Sequence, residues 1–258
     1  MRIFIMGTGR MGAWLTEELC LHHEVCVHDE DIERMKYFIK VRRILDLSEL
    51  DAFKPELFIN CVTLGHTVDA FEKVLPHLPE DCILADIASV KTGFSEYYQK
   101  LGRPFVSSHP MFGPTFANIR DLQAESAIII SESDERGKAF FRDFYSHLGI
   151  RVFEYDFEGH DRTVAYSLAT PFASTMVFAA CMKKQEAPGT NFKKHMAIAK
   201  GLLSEDDRLL SEIMFNPYTI RQIELINSKL AYLTHIIRQR DYDEMNKFLA
   251  SLRANIAD

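Results

Sequence analysis

The run Gly7-Thr8-Gly9-Arg10-Met11-Gly12 constrains the fold of this chain more than any other six residues. It follows directly on the apolar run Arg2 to Met6 and opens RMGAWLTEELCL, a stretch with helical period. Asp29 closes the next apolar run, seventeen residues after Gly12. Strand, glycine turn, helix and a second strand ending in an acid form the first unit of a doubly wound parallel sheet, with a separate task for each glycine. Gly7 allows the tight turn, Gly9 lets a pyrophosphate approach the backbone, and Gly12 lets the helix pack on the strand. The helix N-terminus then offers free amides to the phosphates. Thr8, Arg10 and Met11 belong to the same candidate dinucleotide turn. Asp29 would accept hydrogen bonds from the ribose hydroxyls, and with Glu30 and Asp31 it would repel a 2′-phosphate, so NAD is favoured over NADP. Arg34 and the Arg42/Arg43 pair weigh the other way. A second reading, in which Asp29 and Asp31 cap the next helix, stays open.

The rest of the first 156 residues repeats the alternation. Glu24 to His28, Leu57 to Val62, Cys82 to Ile87, Phe105 to Ser108, Ala127 to Ser131 and Arg151 to Tyr155 read as strands. LFINCV and CILADI are almost unbroken apolar runs, as expected of strands covered on both faces. Segments 10–21, 66–77, 92–101 and 135–148 read as the crossover helices. Beyond residue 156 the strand signals fade, and Ile220, Ile223, Ile226, Leu230, Leu233 and Ile237 recur at helical spacing. Pro188, Gly189 and Pro217 punctuate this half into about four helices. The expected fold is α/β: an N-terminal Rossmann doubly wound parallel sheet over residues 1–156 and an all-helical C-terminal domain over 157–258.

Charge and composition narrow the partners. A net charge of −7 and a pI near 5.8 argue against nucleic acid, which requires a basic footprint. The basic runs Lys40 to Arg43 and Lys183 to Lys184 are short and read as solvated faces. No apolar run approaches the roughly 20 residues of a membrane span, and the first residues lack the pattern of a signal peptide. Five cysteines, none in a CxxC pair, predict neither a disulfide framework nor a metal site, and a reducing cytoplasm is the expected compartment.

Two segments fall just past strands, where open α/β sheets place ligands. One is DIASVK, Asp86 to Lys91. The other is SSHPMFGP, Ser107 to Pro114, in which His109 leaves a strand with a rigid proline after it. Backed by Ser89, Lys91 and Ser108, His109 is a candidate general base.

Together with GTGRMG and the run GHDRTVAY from Gly159 to Tyr166, these strings resemble the prephenate and arogenate dehydrogenases of tyrosine biosynthesis. The resemblance runs in order over most of the chain and implies a dinucleotide domain followed by a helical, substrate-binding and dimerising domain. It implies oxidative decarboxylation of prephenate to 4-hydroxyphenylpyruvate with hydride transfer to NAD, or the same reaction on arogenate. His109 is implied as the catalytic base and Ser89 as its catalytic support. Lys91, Ser108 and His160 would lie in the substrate cleft, although His160 and Asp161 could equally form a polar start to the first long helix. On this reading no metal is expected, and neither a mutase domain nor an appended regulatory domain is expected beside the two domains.

Two departures stand out. Where the family carries a leucine-proline-histidine string, this chain reads Leu168-Ala169-Thr170-Pro171-Phe172. Where the family carries a tyrosine-arginine pair for the ring carboxylate, the best local match is Phe192 followed by Lys193 and Lys194, candidate substrate-binding cations without the planar fork of arginine. Two other readings therefore remain: a Rossmann dehydrogenase with a lysine base on its helical domain, and a nucleotide-sensing protein without catalysis.

Overall fold

The structure, a computed structural model, describes residues 1–113, 122–183 and 185–257. Pro114 of the SSHPMFGP string and Lys184 of the basic pair lie outside the described residues. The first part alternates strands and helices: β1 (Arg2–Met6), α1 (Arg10–Leu19), β2 (Glu24–His28), α2 (Ile32–Met35), β3 (Arg42–Arg43), α3 (Leu50–Phe53), β4 (Leu57–Asn60), α4 (Thr67–Val74), β5 (Ile83–Asp86), α5 (Phe94–Leu101), β6 (Phe105–Pro110), β7 (Ser126–Ile130), α6 (Glu135–His147) and β8 (Arg151–Tyr155). Among the described residues the strands form one eight-stranded sheet in the order β3-β2-β1-β4-β5-β6-β7-β8. Strand order reverses between β1 and β4, which sets the ligand crevice of such a sheet at their carboxyl ends.

Alternation at period two builds two cores. Ile3, Ile5, Leu57 and Ile59 face Trp14 and Leu15 of α1 and Phe141 of α6. Phe4, Phe58 and Leu84 face Phe71 of α4 and Tyr98 of α5. All four residues of β4 and of β5 are buried, which accounts for their unbroken apolar sequences.

Two features depart from the sequence reading. The β6–β7 pair is antiparallel, while α6 returns the chain to make β7–β8 parallel. Part of the basic run read as a solvated face, Arg42 and Arg43, is also an edge strand on β2, exposed but with the Arg42 guanidinium 5.7 Å from the Phe53 ring centroid.

The second part is helical. α7 (Phe157–Val164), a π-helical turn over Ala165–Ala169 and α8 (Thr170–Cys181) run on without a break, followed by α9 (Thr190–Leu202), α10 (Asp207–Met214), α11 (Thr219–Gln239) and α12 (Tyr242–Asn255). Among the described residues this makes five continuous helical segments rather than about four. Gly189 and Pro217 precede helices as read, but the remaining stops are aspartate caps: Asp206 accepts from the Arg208 and Leu209 amides, and Asp241 from the Glu244 amide. Phe157–Cys181 is, by length and composition, apolar enough to cross a membrane, a feature that a search for uninterrupted apolar runs overlooked. Its first turns nevertheless carry Glu158, His160, Asp161 and Arg162, and His160 and Asp161 are packed against the sheet domain.

Candidate active site

At the glycine turn each glycine meets a different steric limit. Gly7 has φ of +92°, and a Cβ there would lie 2.8 Å from the backbone of Cys61 and Val62, just past β4. A Cβ on Gly12 would lie 1.9 Å from the Gly7 carbonyl oxygen. Around Gly9 a Cβ would meet nothing within 4 Å. The turn is thus closed on its inner side and open over its middle residue, and α1 begins there without a side-chain cap, leaving amides for an anion. These residues fit a dinucleotide pyrophosphate.

The acid at the end of β2 is wired into the turn. Asp29 Oδ2 accepts from the Thr8 amide at 2.6 Å and the Thr8 hydroxyl at 2.9 Å, and its Oδ1 accepts from the Asp31 amide. Burial opposes ionisation of Asp29, but these hydrogen bonds outweigh it and hold the carboxyl below its usual range. Asp31, not Asp29, caps α2. Glu30 pairs with Lys73 at 2.9 Å and Asp31 with Arg34 at 3.4 Å, so both outer acids of the cluster carry a counter-ion. Arg10 reaches across to Glu205, ahead of α10, at 3.4 Å, and Met11 packs on the core beneath the turn.

His109 lies near the end of β6, opposite Ile128 of β7, and is 4% exposed. Its Nδ1 is 2.9 Å from His160 Nε2, and His160 Nδ1 is 2.9 Å from Asp161 Oδ1. Asp161 also accepts from the Lys91 amide at 2.8 Å and the Thr92 hydroxyl at 2.7 Å, while Asn216 donates to its carbonyl oxygen. The long helix thereby docks onto the loop after β5. Burial pushes His109 well below the ordinary 6.5, with the His160 ring and the Lys91 charge adding to the effect. His160 is lowered as well by burial, against the pull of Asp161. Burial opposes ionisation of Asp161 too, yet the His160, Thr92 and Lys91 hydrogen bonds keep its carboxyl below the usual range.

Several candidate residues fall elsewhere than expected. Lys91 does not present a free cation to the cleft: its side chain is sealed, and Nζ donates to Asp86 Oδ1 at 2.5 Å and to the Ser108 carbonyl at 2.7 Å. Burial lowers its pKa and Asp86 opposes that shift. Ser108 projects to the opposite face of β6 from His109, where its hydroxyl donates to the Ile128 carbonyl and meets Tyr145 OH at 2.9 Å. His160 sits behind His109, fully buried, and is not the start of the helix, since Asp156 caps α7. Lys193 and Lys194 are exposed on α9, and no described hydrogen bond or ion pair joins them to the His109 group. Ser89 lies half-buried just past β5.

The sequence reading passed over Asp86, Tyr98, Thr92 and Asn216. Tyr98 OH donates to Asp86 Oδ2 at 2.7 Å, completing the setting of Lys91. The polar ending of an otherwise apolar strand, Asp86 in CILADI, was the available signal for Asp86. A cleft of about 300 Å³ opens on the same face of β6 and β7 as His109, among Met111, Glu125, Ile128, Tyr155, Thr163 and Ser167.

A glycine turn shaped for a dinucleotide after β1, together with a buried histidine near the end of β6, is the layout of a nucleotide-binding doubly wound domain with a candidate site at the ends of its strands. Residues 20–146 match the family model described as prephenate dehydrogenase, nucleotide-binding domain. The chain is 25% identical over 236 residues to a Methanocaldococcus jannaschii protein named "Probable arogenate/prephenate dehydrogenase", covering 88% of this chain and 52% of that one. The chain is thus similar to the prephenate/arogenate dehydrogenases, the family match falling on its nucleotide-binding part. The chain spans about half the length of the curated relatives it matches. Its fold is that of Aquifex aeolicus prephenate dehydrogenase solved with hydroxyphenyl propionate and NAD+ (TM-score 0.85, 18% identity, 99% of this chain and 96% of that one). It is also that of Synechocystis arogenate dehydrogenase (TM-score 0.76, 19% identity, 99% and 98%).

Proposed function

We propose that the chain oxidatively decarboxylates prephenate to 4-hydroxyphenylpyruvate with NAD as the hydride acceptor, arogenate being the alternative substrate. The observation that carries this reading is the hydrogen-bonded series Asp161, His160, His109, which ends on His109 Nε2, a nitrogen without a hydrogen bond among the described residues. Gly7, Thr8, Gly9, Arg10, Met11 and Gly12 would hold the pyrophosphate and Asp29 the ribose; the bound dinucleotide supplies the hydride acceptor. His109 Nε2 accepts the ring hydroxyl proton while hydride leaves the same carbon, and Ser89 steadies that hydroxyl. Loss of the ring carboxylate as carbon dioxide leaves an aromatic ring, and the gain in resonance drives the reaction without a metal. A lysine base is disfavoured, because Lys91 is committed to Asp86 and Lys193 and Lys194 stand on an exposed helix. Those two remain candidates for meeting a substrate carboxylate through charge alone.

The same reading assigns 1–156 to dinucleotide binding and 157–258 to substrate binding and dimerisation in a cytoplasmic homodimer. In its support, the chain exposes 15348 Å², against roughly 11,600 Å² for a compact monomer of this mass. Val177, Ile198, Ile220, Leu230 and Ile237 are among its exposed apolar residues.

The test is turnover of purified protein with prephenate or arogenate and with NAD or NADP, alongside His109→Asn. NAD with one of the two substrates is the expected productive pair, and the variant should lose roughly 100- to 10,000-fold in kcat with unchanged NAD binding. No turnover of either substrate with either cofactor would overturn the proposal.

A further inference from the structure

We propose that His160 and Asp161 are positioning residues for His109: they keep its proton on Nδ1, leave Nε2 with a bare lone pair, and share the positive charge that forms when Nε2 is protonated. The inference rests on the reading of His109 as proton acceptor and assigns the tautomer that reading needs.

The argument follows the protons from the buried end. An ionised carboxylate can only accept, so the 2.9 Å contact between Asp161 Oδ1 and His160 Nδ1 requires the proton on that nitrogen. A neutral His160 then has a bare Nε2, which can only accept, so the 2.9 Å contact to His109 requires the proton on His109 Nδ1. The last nitrogen, His109 Nε2, is left with its lone pair. Each ring therefore has one allowed tautomer, set by a carboxylate one hydrogen bond from His160 and two from His109.

Charge follows the same route. Around the two rings stand Lys91 from the loop after β5, Asp86 from β5 and Asp161 from α7. Asp86 is occupied by Lys91 and by Tyr98 OH, so Asp161 is the carboxylate in direct hydrogen-bond contact with an imidazole. When the substrate O–H bond breaks, a bond from its proton to His109 Nε2 forms. The Nδ1 proton can then move along its hydrogen bond to His160 Nε2, placing the cation beside Asp161. No electrons are exchanged among the three groups and no further donor is needed.

Three variants test this. His160→Leu removes the acceptor: kcat should fall roughly 100-fold with NAD affinity unchanged, and imidazole nitrogen NMR should show His109 losing its single Nδ1–H tautomer. His160→Gln restores an acceptor through its amide oxygen and should recover the tautomer and part of kcat. Asp161→Asn keeps a carbonyl oxygen but removes the charge, so the acid limb of the kcat profile should move to lower pH. A folded His160→Leu with unchanged kcat and tautomer would overturn the proposal, as would an unmoved acid limb in Asp161→Asn. Should His160→Leu not fold, the His160→Gln and Asp161→Asn spectra decide, with loss of the Nδ1–H tautomer in His160→Gln counting against the proposal. The NMR readout needs no substrate. Failure of the substrate reading, seen as no turnover by the unmodified protein, is therefore separable from failure of this one.

Discussion

A methyl group added at Gly9 and one added at Gly12 should have opposite consequences, although only two residues separate them. At Gly12 the new atom would lie 1.9 Å from the Gly7 carbonyl oxygen, an overlap that only movement of α1 away from the turn could relieve. At Gly9 it would meet open space on a backbone with φ of −63°. Gly9→Ala should therefore keep the thermal midpoint of the parent and bind NAD more weakly, whereas Gly12→Ala should lose roughly 1–3 kcal/mol or more of stability; thermal melts and NAD titration check both. The distinct roles of these glycines are legible in the sequence because strand, turn and helix are contiguous. The same local logic explains a misplaced serine. Ser108 and His109 are neighbours on one strand, and period two sends them to opposite faces, so both could not line one cleft. That signal was present in the string SSHP, but grouping by proximity concealed it.

At the scale of elements, the joint between β5, the loop after it and the long helix holds the site together. Lys91 and Asp86 form a sealed pair in this joint, and removing one partner of such a pair leaves a buried charge uncompensated. Lys91→Met should accordingly cost roughly 3–5 kcal/mol of stability, read as a lower urea midpoint. An unchanged midpoint with a raised KM for substrate would instead restore Lys91 as a substrate contact. The sequence placed Lys91 correctly at the carboxyl end of a strand but could not show which way a five-residue loop would turn it. Likewise, His109 and His160 are 51 residues apart, and only the docking of α7 brings their rings together. The helix caps were more accessible: Asp206 and Asp241 each precede an amphipathic stretch, and proline and glycine drew attention away from them.

For the whole molecule, acid should loosen the fold in two stages. His109 and His160 have folded pKa values below 6.5, so the unfolded chain binds protons that the folded one refuses as pH falls below that value. The stability they contribute is complete above about pH 6.5 and declines below it. The share from Asp161, whose folded pKa is depressed, persists until pH falls below about 4. Urea midpoints from pH 7 to 5 should drop, and less steeply in His160→Gln; equal slopes would mean the rings do not control this range. Assembly is a second property at this scale. Sedimentation at micromolar concentration should give a dimer that dissociates when Ile220 and Leu230 are replaced by Glu, and a parent protein that sediments as a monomer would remove the homodimer from the proposal. The π-helical turn over Ala165–Ala169 acts between the two halves as a gear tooth. It adds a residue to one turn without interrupting the rod, and Pro171, which lacks an amide proton, sits just beyond it. Excising one residue there would leave ordinary α pitch with α8 keeping its direction, because the wide turn has already absorbed the extra residue, whereas excising one from α8 itself would turn every side chain beyond it by roughly 100° about the helix axis. After such an excision in α8 the His160 end would remain docked on the sheet while the apolar residues beyond it faced a new direction, so the π-helical turn is where this rod can change its length by a residue and keep its faces in register.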